Sequence, residues 1–144
     1  EVHDQLTFVD HAVPRCTSNQ LYKGVVDDDG RSVFNGKVLV RKDAQQTLAY
    51  QQNRSIVLSD RAVADTRPQL EIYADDVKCS HGATIGQLDD AALFYLRQRG
   101  IDERDAQRLL MQAFVGEVVD LLPDGPLREQ VGELALAGLP RESA

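Results

Sequence analysis

Residues Val77–Gly86 read VKCSHGATIG and lie where the chain changes character. Before them, short β-type runs are separated by Gly, Asp and Asn; after them, apolar residues recur at helical spacing. The stretch also contains one of the chain's two cysteines, Cys79, and one of its three histidines, His81. We therefore divide the chain here into a β-half, residues 1–86, and a helical domain, residues 87–144, and look for a functional site at the junction.

The composition narrows the classes of protein to consider. The 144 residues are 42% hydrophobic and 27% charged, which is ordinary for one soluble domain with a modest core. A net charge of −7 argues against nucleic acid as a partner, because such binding depends on Lys and Arg. The sequence has no apolar run of about 18 residues, so we predict no membrane span. Cys16 and Cys79 are too few for a disulfide framework, and we expect no signal peptide after Glu1, so we predict a reduced, cytoplasmic protein.

The β-half is a series of short apolar runs divided by turn residues. Strong turn signals occur at Asp27–Gly30 (DDDG) and at Asn35–Gly36 (NG), because Gly adopts positive φ angles without strain. The polar segment Asp43–Asn53 offers only Leu48, Ala49 and Tyr50 for burial. Seven strands, none much longer than five residues, are predicted at Leu6–Val9, Gln20–Val26, Ser32–Phe34, Lys37–Arg41, Ser55–Leu58, Gln69–Tyr73 and Val77–Cys79.

Two architectures fit this pattern of strands. One is an ordinary β-sandwich, which is the more common fold for many short strands. The other is a β-solenoid, in which each coil contributes short strands and exposes polar turns. The sequence shows no clear period, so the pattern alone leaves both open.

Three helices are predicted after Gly86. Asp89–Asp90 can cap the first and Gly100 can end it, while Asp102 can cap the second. The segment Pro123–Pro126 (PDGP) separates the second helix from the third. Three short helices bury too little apolar surface to be stable alone, so we expect them to dock on the β-half or on a partner.

Cys79 and His81 are the candidate site residues, and two interpretations compete. Strand alternation places both side chains on one face. They can be a buried thiol and a hydrogen-bonded turn histidine, or they can be part of a metal site. Two ligands are too few for a zinc site, which takes three or four, so a second chain would have to complete it. Side chains two apart on a strand are poorly placed for nucleophilic catalysis, and we predict no catalytic residue.

Several segments resemble the SufD branch of the SufB/SufD family, over about residues 11–122. The similarity is carried by Pro68–Gly86 (PQLEIYADDVKCSHGATIG), Leu93–Ile101 (LFYLRQRGI), Asp105–Ala106, Lys23–Val26 (KGVV) and Gly30–Gly36 (GRSVFNG). The resemblance implies a right-handed parallel β-helix core fragment followed by a small C-terminal helical domain. It also implies that the sequence is the C-terminal part of a longer protein.

The family resemblance further implies a function. The expected role is a non-catalytic scaffold for iron–sulfur cluster assembly in the SUF system, paired with a SufB-like paralogue through the β-helix cores. The family's interface histidine falls on His81 and the neighbouring cysteine on Cys79. No tightly bound cofactor is expected; iron or an iron–sulfur cluster would be held transiently at the interface with the partner.

A SufC-like ABC ATPase is the second expected partner, docked by the helical domain. The candidate docking residues are Leu93, Phe94, Leu96, Arg97, Arg99, Leu110 and Phe114. Unpaired strand edges at the ends of a β-helix fragment also favour a homodimer of the isolated chain.

Two alternatives from other classes remain at this point. A β-helix enzyme acting on carbohydrate could use Glu71, Asp75 and Asp76, although an aromatic content of 6% makes sugar stacking a poor expectation. A stand-alone metal-binding protein or zinc hydrolase could use Cys79 and His81, but it lacks further ligands.

Overall fold

The computed structural model of the protein describes residues 1–140, in which the chain forms six strands followed by three helices. The strands are β1 (Val2–His11), β2 (Thr17–Val26), β3 (Arg31–Val40), β4 (Leu48–Val57), β5 (Val63–Ile72) and β6 (Lys78–Gly86). The helices are α1 (Asp90–Gln98), α2 (Glu103–Val119) and α3 (Pro126–Ala137). The last four residues of the predicted helical domain, 141–144, lie outside the described residues.

Successive strands alternate between two parallel sheets, one in the order β1-β3-β5 and the other in the order β2-β4-β6. Val2 lies beside Arg31 and Arg31 beside Val63, so one coil takes about 30 residues. Parallel neighbours cannot be joined by hairpins, which make antiparallel pairs. The β-sandwich is therefore wrong, and the fold is a mainly β, β-helix-like coil with three helices.

The core lies inside the coil, between the two sheets. Phe34, Val38 and Val40 of β3 are at most 2% exposed. Ala49 of β4 packs in the same cluster as Val38 and Val40. Because side chains alternate along each strand, every second residue of β3 and β4 is enclosed by the coil.

The interior also contains polar side chains, and this corrects the prediction for the segment Asp43–Asn53. Ala49 is buried as expected, but Leu48 and Tyr50 are 38% and 41% exposed, whereas Gln51 is 1% exposed. Leu48 and Tyr50 point outward because they alternate with Ala49 and Gln51 along β4. The Gln51 amide is accommodated inside because its Nε2 donates to a glutamine of the neighbouring coil at 2.8 Å.

The turn predicted at Asn35–Gly36 is wrong, because β3 runs straight through it. Gly36 serves packing instead: a Cβ added there would lie 2.5 Å from Phe34 Cζ and 2.7 Å from Gln51 Nε2. The seven short predicted strands are likewise six strands of nine or ten residues in the described chain. The turn at Asp27–Gly30 is confirmed, with Gly30 N–H donating to the Asp27 carbonyl at 2.9 Å.

The predicted helix boundaries are confirmed. The Asp89 carboxylate accepts hydrogen bonds from two backbone N–H groups of α1, and the Asp102 carboxylate accepts one from Asp105 at 2.9 Å. Gly100 has φ +84, the left-handed conformation that ends a helix. These caps depend on local sequence, which is why they could be predicted.

Helix α2 docks on the outer face of β2, which confirms that the helices pack against the β-half. Lys23 of β2 has a side chain only 2% exposed and forms an ion pair with Glu117 of α2. Its Nζ donates to the Phe114 carbonyl at 2.9 Å and lies 4.3 Å from the centroid of the Phe114 ring. Arg54 of β4 lies 3.6 Å from the same Glu117 carboxylate. We call Lys23, Arg54, Phe114 and Glu117 the lysine clamp.

No helix within residues 1–140 combines the length and the apolar character needed to cross a membrane.

Candidate functional site

Strand β6 is the last rung of its sheet, and its outer edge pairs with nothing in the described part of the chain. Lys78 N–H donates to the Thr47 carbonyl at 3.0 Å, so the N–H groups of even-numbered residues face β4. The N–H groups of Cys79, His81 and Ala83 therefore point away from the sheet. An edge of this kind is a template on which the strand of another chain can pair.

Strand β5 is the corresponding edge of the first sheet, but it contains Pro68. Tyr73 N–H donates to the Val40 carbonyl at 2.9 Å, so odd-numbered N–H groups of β5 face β3. Pro68, opposite Gly36 in the register, therefore lacks a donor only on the outer edge. Proline at such a position hinders the addition of another strand. Of these two edges, β6 is the one better suited to pairing.

The side chains of Cys79 and His81 lie on the inward-facing side of β6. In the register, Cys79 is beside Ala49 and His81 beside Gln51, and both β4 residues are buried inside the coil. No further rung covers this row among residues 1–140. As a result Cys79 is half-buried and His81 is exposed, although they belong to the row that is fully enclosed one coil earlier.

Cys79 is a free thiol, and burial raises its pKa. A backbone hydrogen bond at Ala49 lowers this pKa, but by less than burial raises it. Loss of water disfavours the thiolate because the charged form is the better solvated one. Cys79 is therefore less readily ionised than an exposed cysteine, and a metal ion binding there would have to displace its proton.

The sequence prediction missed Gln51, which lies directly behind His81. The carbonyl oxygen Oε1 of Gln51 is buried and has no hydrogen-bond partner within residues 1–140. Nothing in the local sequence marks Gln51 as special. A hint is available only in the spacing, since Gln20 and Gln51 are 31 positions apart, close to one coil of the β-half.

Cys79 and His81 are the only two side chains of β6 that commonly ligate metal ions. The described residues contain no group of three His, Cys, Asp or Glu side chains arranged to hold a metal ion. Cys16 is a free, half-buried thiol.

The sequence predicts surface positions for His3 and His11. The prediction is confirmed for His3, which is exposed. It is wrong for His11, which is 5% exposed and whose Nε2 is hydrogen-bonded to Ser18 Oγ at 2.9 Å.

The candidate docking residues on the helices divide into three groups. Phe94 is 65% exposed, and Arg97 and Arg99 are also exposed, with the Arg99 guanidinium 4.5 Å from the Tyr95 ring centroid. Phe114 is turned toward the β-half as part of the lysine clamp. The remaining three are half-buried: Leu93, Leu96 and Leu110.

Comparison with known proteins identifies relatives of the whole β-half and of most of the helical part. A family model described as the SufBD core domain of SUF-system FeS cluster assembly matches residues 1–114. The iron-sulfur cluster assembly protein SufD of Escherichia coli (strain K12) is 48% identical over 91% of the chain. An iron-sulfur cluster assembly SufBD family protein of Synechocystis is 51% identical over 82% of the chain. SufD of Bacillus subtilis (strain 168) is 37% identical over 77%.

The chain spans 31% of the length of the E. coli relative, 27% of the Synechocystis relative and 25% of the B. subtilis relative. It therefore corresponds to a fragment of these longer proteins. Its similarity extends through the strands, the candidate site on β6 and helix α1. The chain belongs to the SufB/SufD family of SUF-system iron–sulfur cluster assembly proteins, as a SufD-like member.

Proposed function

We propose that this protein is a non-catalytic, cytoplasmic scaffold subunit that pairs with a SufB-like paralogue along β6. Iron or a nascent iron–sulfur cluster would be the cargo, held between Cys79, His81 and ligands of the partner. The observation that carries this proposal is the position of both side chains on a strand whose edge is open to another chain. Pro68 on β5 supports the choice of β6 as the pairing edge.

The chemistry of the two residues fits an iron-containing cargo. Thiolate and imidazole both ligate iron and iron–sulfur clusters in proteins. Two ligands from one chain make an incomplete set, which suits a site that must receive a cluster and later release it. The raised pKa of Cys79 adds to this, because the protonated thiol is a poor ligand until a metal ion or a nearby positive charge favours its ionisation.

Two finer features belong to the same proposal. The coil is right-handed, in keeping with the strong preference for right-handed connections between parallel strands. Residues 1–86 act as a β-helix core fragment and residues 87–144 as the helical domain. A SufC-like ATPase would dock on the helical domain, and the exposed side chains Phe94, Arg97 and Arg99 are the best placed for this contact.

The proposal is tested by co-purifying the full-length protein with a SufB-like and a SufC-like protein from the same cell. Ala83→Pro places a proline on the outer edge of β6 without removing a hydrogen bond to β4, so we expect weaker capture of the SufB-like protein. Phe94→Ala should weaken capture of the SufC-like protein and leave capture of the SufB-like protein unchanged. His81→Ala should leave capture intact and reduce iron retained by the complex.

His3→Ala is the matched control for the iron measurement, because His3 is an exposed strand histidine at the other end of the coil. It should leave iron retention unchanged. Equal iron in the His81→Ala and His3→Ala complexes would contradict the site. Undiminished capture of the SufB-like protein by Ala83→Pro would contradict the pairing edge.

A further inference from the structure

The interior of the coil contains a hydrogen-bond acceptor with no donor among the described residues. Gln51 is 1% exposed, and its Oε1 is buried and unpartnered within residues 1–140. A buried carbonyl oxygen without a hydrogen bond has lost its contact with water and gained nothing in return, so a partner at this atom is expected. The question is which group supplies the donor.

The Gln51 amide is held in one orientation by its surroundings. Its Nε2 donates to Gln20 Oε1 at 2.8 Å, one rung earlier in the same row. The Nε2 also occupies the space above Gly36, where a Cβ would lie 2.7 Å away, and Phe34 fills the rest of that space. The hydrogen bond to Gln20 and the contact with Gly36 hold Nε2 in place. The carbonyl oxygen Oε1 therefore needs a donor from another direction.

His81 is the residue that follows Gln51 in this row. The two are direct partners in the register between β4 and β6, and they lie on the same face. Neighbouring parallel strands are about 4.8 Å apart, which is within reach of the combined lengths of a glutamine and a histidine side chain. The other two buried unpartnered side-chain atoms in the described chain are the hydroxyl oxygens of Thr7 and Thr66, and neither residue neighbours Gln51 in the register of its sheet.

We infer that Gln51 is a positioning residue for His81: when the exposed His81 ring turns toward β4, one ring N–H donates to the buried carbonyl oxygen of Gln51, a hydrogen bond that is unformed in this structure. The hydrogen bond fixes the tautomer of His81. The other ring nitrogen then presents its lone pair to the open edge of β6. Histidines that ligate metals commonly donate their second N–H to a carbonyl or carboxylate in this way. The inference rests on the proposed function, in which that nitrogen ligates the cargo.

The hydrogen bond is tested directly by NMR on the full-length protein labelled with ¹⁵N-histidine. The wild type should show a ring N–H signal that His81→Ala removes, because a hydrogen bond to a buried acceptor protects the proton from exchange with water. Gln51→Met has a similar volume and no acceptor, and should lose the signal. Gln51→Glu keeps an acceptor while the Gln20 amide rotates to donate to it, and should retain the signal.

Gln52→Met is the matched control, since Gln52 is the next residue on β4 and lies exposed on the outer face. It should leave the His81 signal unchanged. A signal that persists in Gln51→Met, or one that is absent from the wild type, would overturn the inference. A protein that is merely less stable would lose signals throughout the spectrum rather than this one.

The consequence for metal binding is measured separately, with Co²⁺ alone as the probe and its visible absorption as the readout. Gln51→Met should bind Co²⁺ about 10–100-fold more weakly than wild type and Gln52→Met. Equal affinity in all three would refute the positioning role. If His81→Ala binds Co²⁺ as well as wild type does, the metal site of the proposed function fails, while the ring signal still decides whether Gln51 holds His81.

Discussion

Among the described glycines, Gly36 has the least room for a side chain. An added methyl group would meet Phe34 Cζ at 2.5 Å and Gln51 Nε2 at 2.7 Å. We expect Gly36→Ala to lower the free energy of unfolding by about 1–3 kcal/mol, because overpacking displaces side chains that are already enclosed. Urea denaturation measures this difference. Gly82→Ala on β6 is the control, since a Cβ there has no neighbour within 4 Å in the described chain, and equal midpoints for both variants would contradict the packing argument.

At the scale of single residues, the sequence predicts roles that depend on residues a few positions away in the chain. It misses roles that depend on how successive coils stack. Asp89 and Asp102 could be identified as helix caps because their bonds reach only two or three residues ahead. Gln51 could not be identified as buried, because its partner Gln20 is 31 positions away. Asn35–Gly36 has the residues of a turn, but Gly36 is present because neighbouring side chains leave no room for a Cβ. That requirement is invisible until the coils are stacked.

Helix α2 is joined to the β-half by the lysine clamp, and the clamp should respond to acid. The pKa of Glu117 is lowered, mainly by the hydrogen bond from Lys23, with the charge of Arg54 adding a smaller effect. A lowered pKa in the folded state means that the stabilisation is complete above the unfolded value of about 4.3 and is lost as pH falls through the folded pKa. We expect the protection of α2 amides from hydrogen exchange, measured relative to the intrinsic exchange rate at each pH, to fall over that range in the wild type.

Glu117→Gln should remove most of this pH dependence, because the amide keeps an acceptor for Lys23 but does not titrate. Glu133→Gln, an exposed change on α3, is the control and should behave as wild type. The same acid response in wild type and Glu117→Gln would show that another group controls the docking of α2.

The strands show why element boundaries were harder to predict than helix boundaries. The sequence predicts strands that stop at every polar pair, yet β4 continues through Gln51, Gln52 and Asn53. Inside a two-sheet coil, polar side chains can be paired with the neighbouring rung, so a strand does not need an unbroken apolar face. Helices α1 and α2 have no such freedom at their ends, where backbone groups need a local cap.

For the whole molecule, the open edge of β6 predicts self-association when no partner is present. Two copies related by a two-fold axis can pair their β6 strands antiparallel, each edge meeting its own copy. We expect Ala83→Pro to shift the isolated chain toward monomer in sedimentation velocity, because it adds a proline on the pairing side. Ala83→Ser keeps the N–H and should sediment as wild type. A dimer that persists unchanged in Ala83→Pro would place the contact elsewhere.

The whole fold could be narrowed from the sequence to two architectures, but the parallel coil could not be separated from the sandwich by residue pattern. The repeat of the coil is visible in a few Arg–Asp pairs whose members lie one coil apart. Asp10 and Arg41 are 31 positions apart, Asp29 and Arg61 are 32, and Arg31 and Asp65 are 34. Corners of unequal length vary the spacing, so the repeat is weak in sequence although it is regular in space. The residue pattern marked Cys79 and His81 as candidates, but the resemblance over Pro68–Gly86 was needed to choose the coil and to give the two residues a role.

The lysine clamp has a consequence for how the protein is made. Lys23 and Phe114 are 91 positions apart, so a ribosome adding about 5–20 residues per second exposes Lys23 roughly 5–20 s before its partner exists. During that interval the first coils can stack while the outer face of β2 stays uncovered. Arrival of α2 would then seal that face last. Newly synthesised chains that stall before residue 114 should therefore be the ones that chaperones bind on β2.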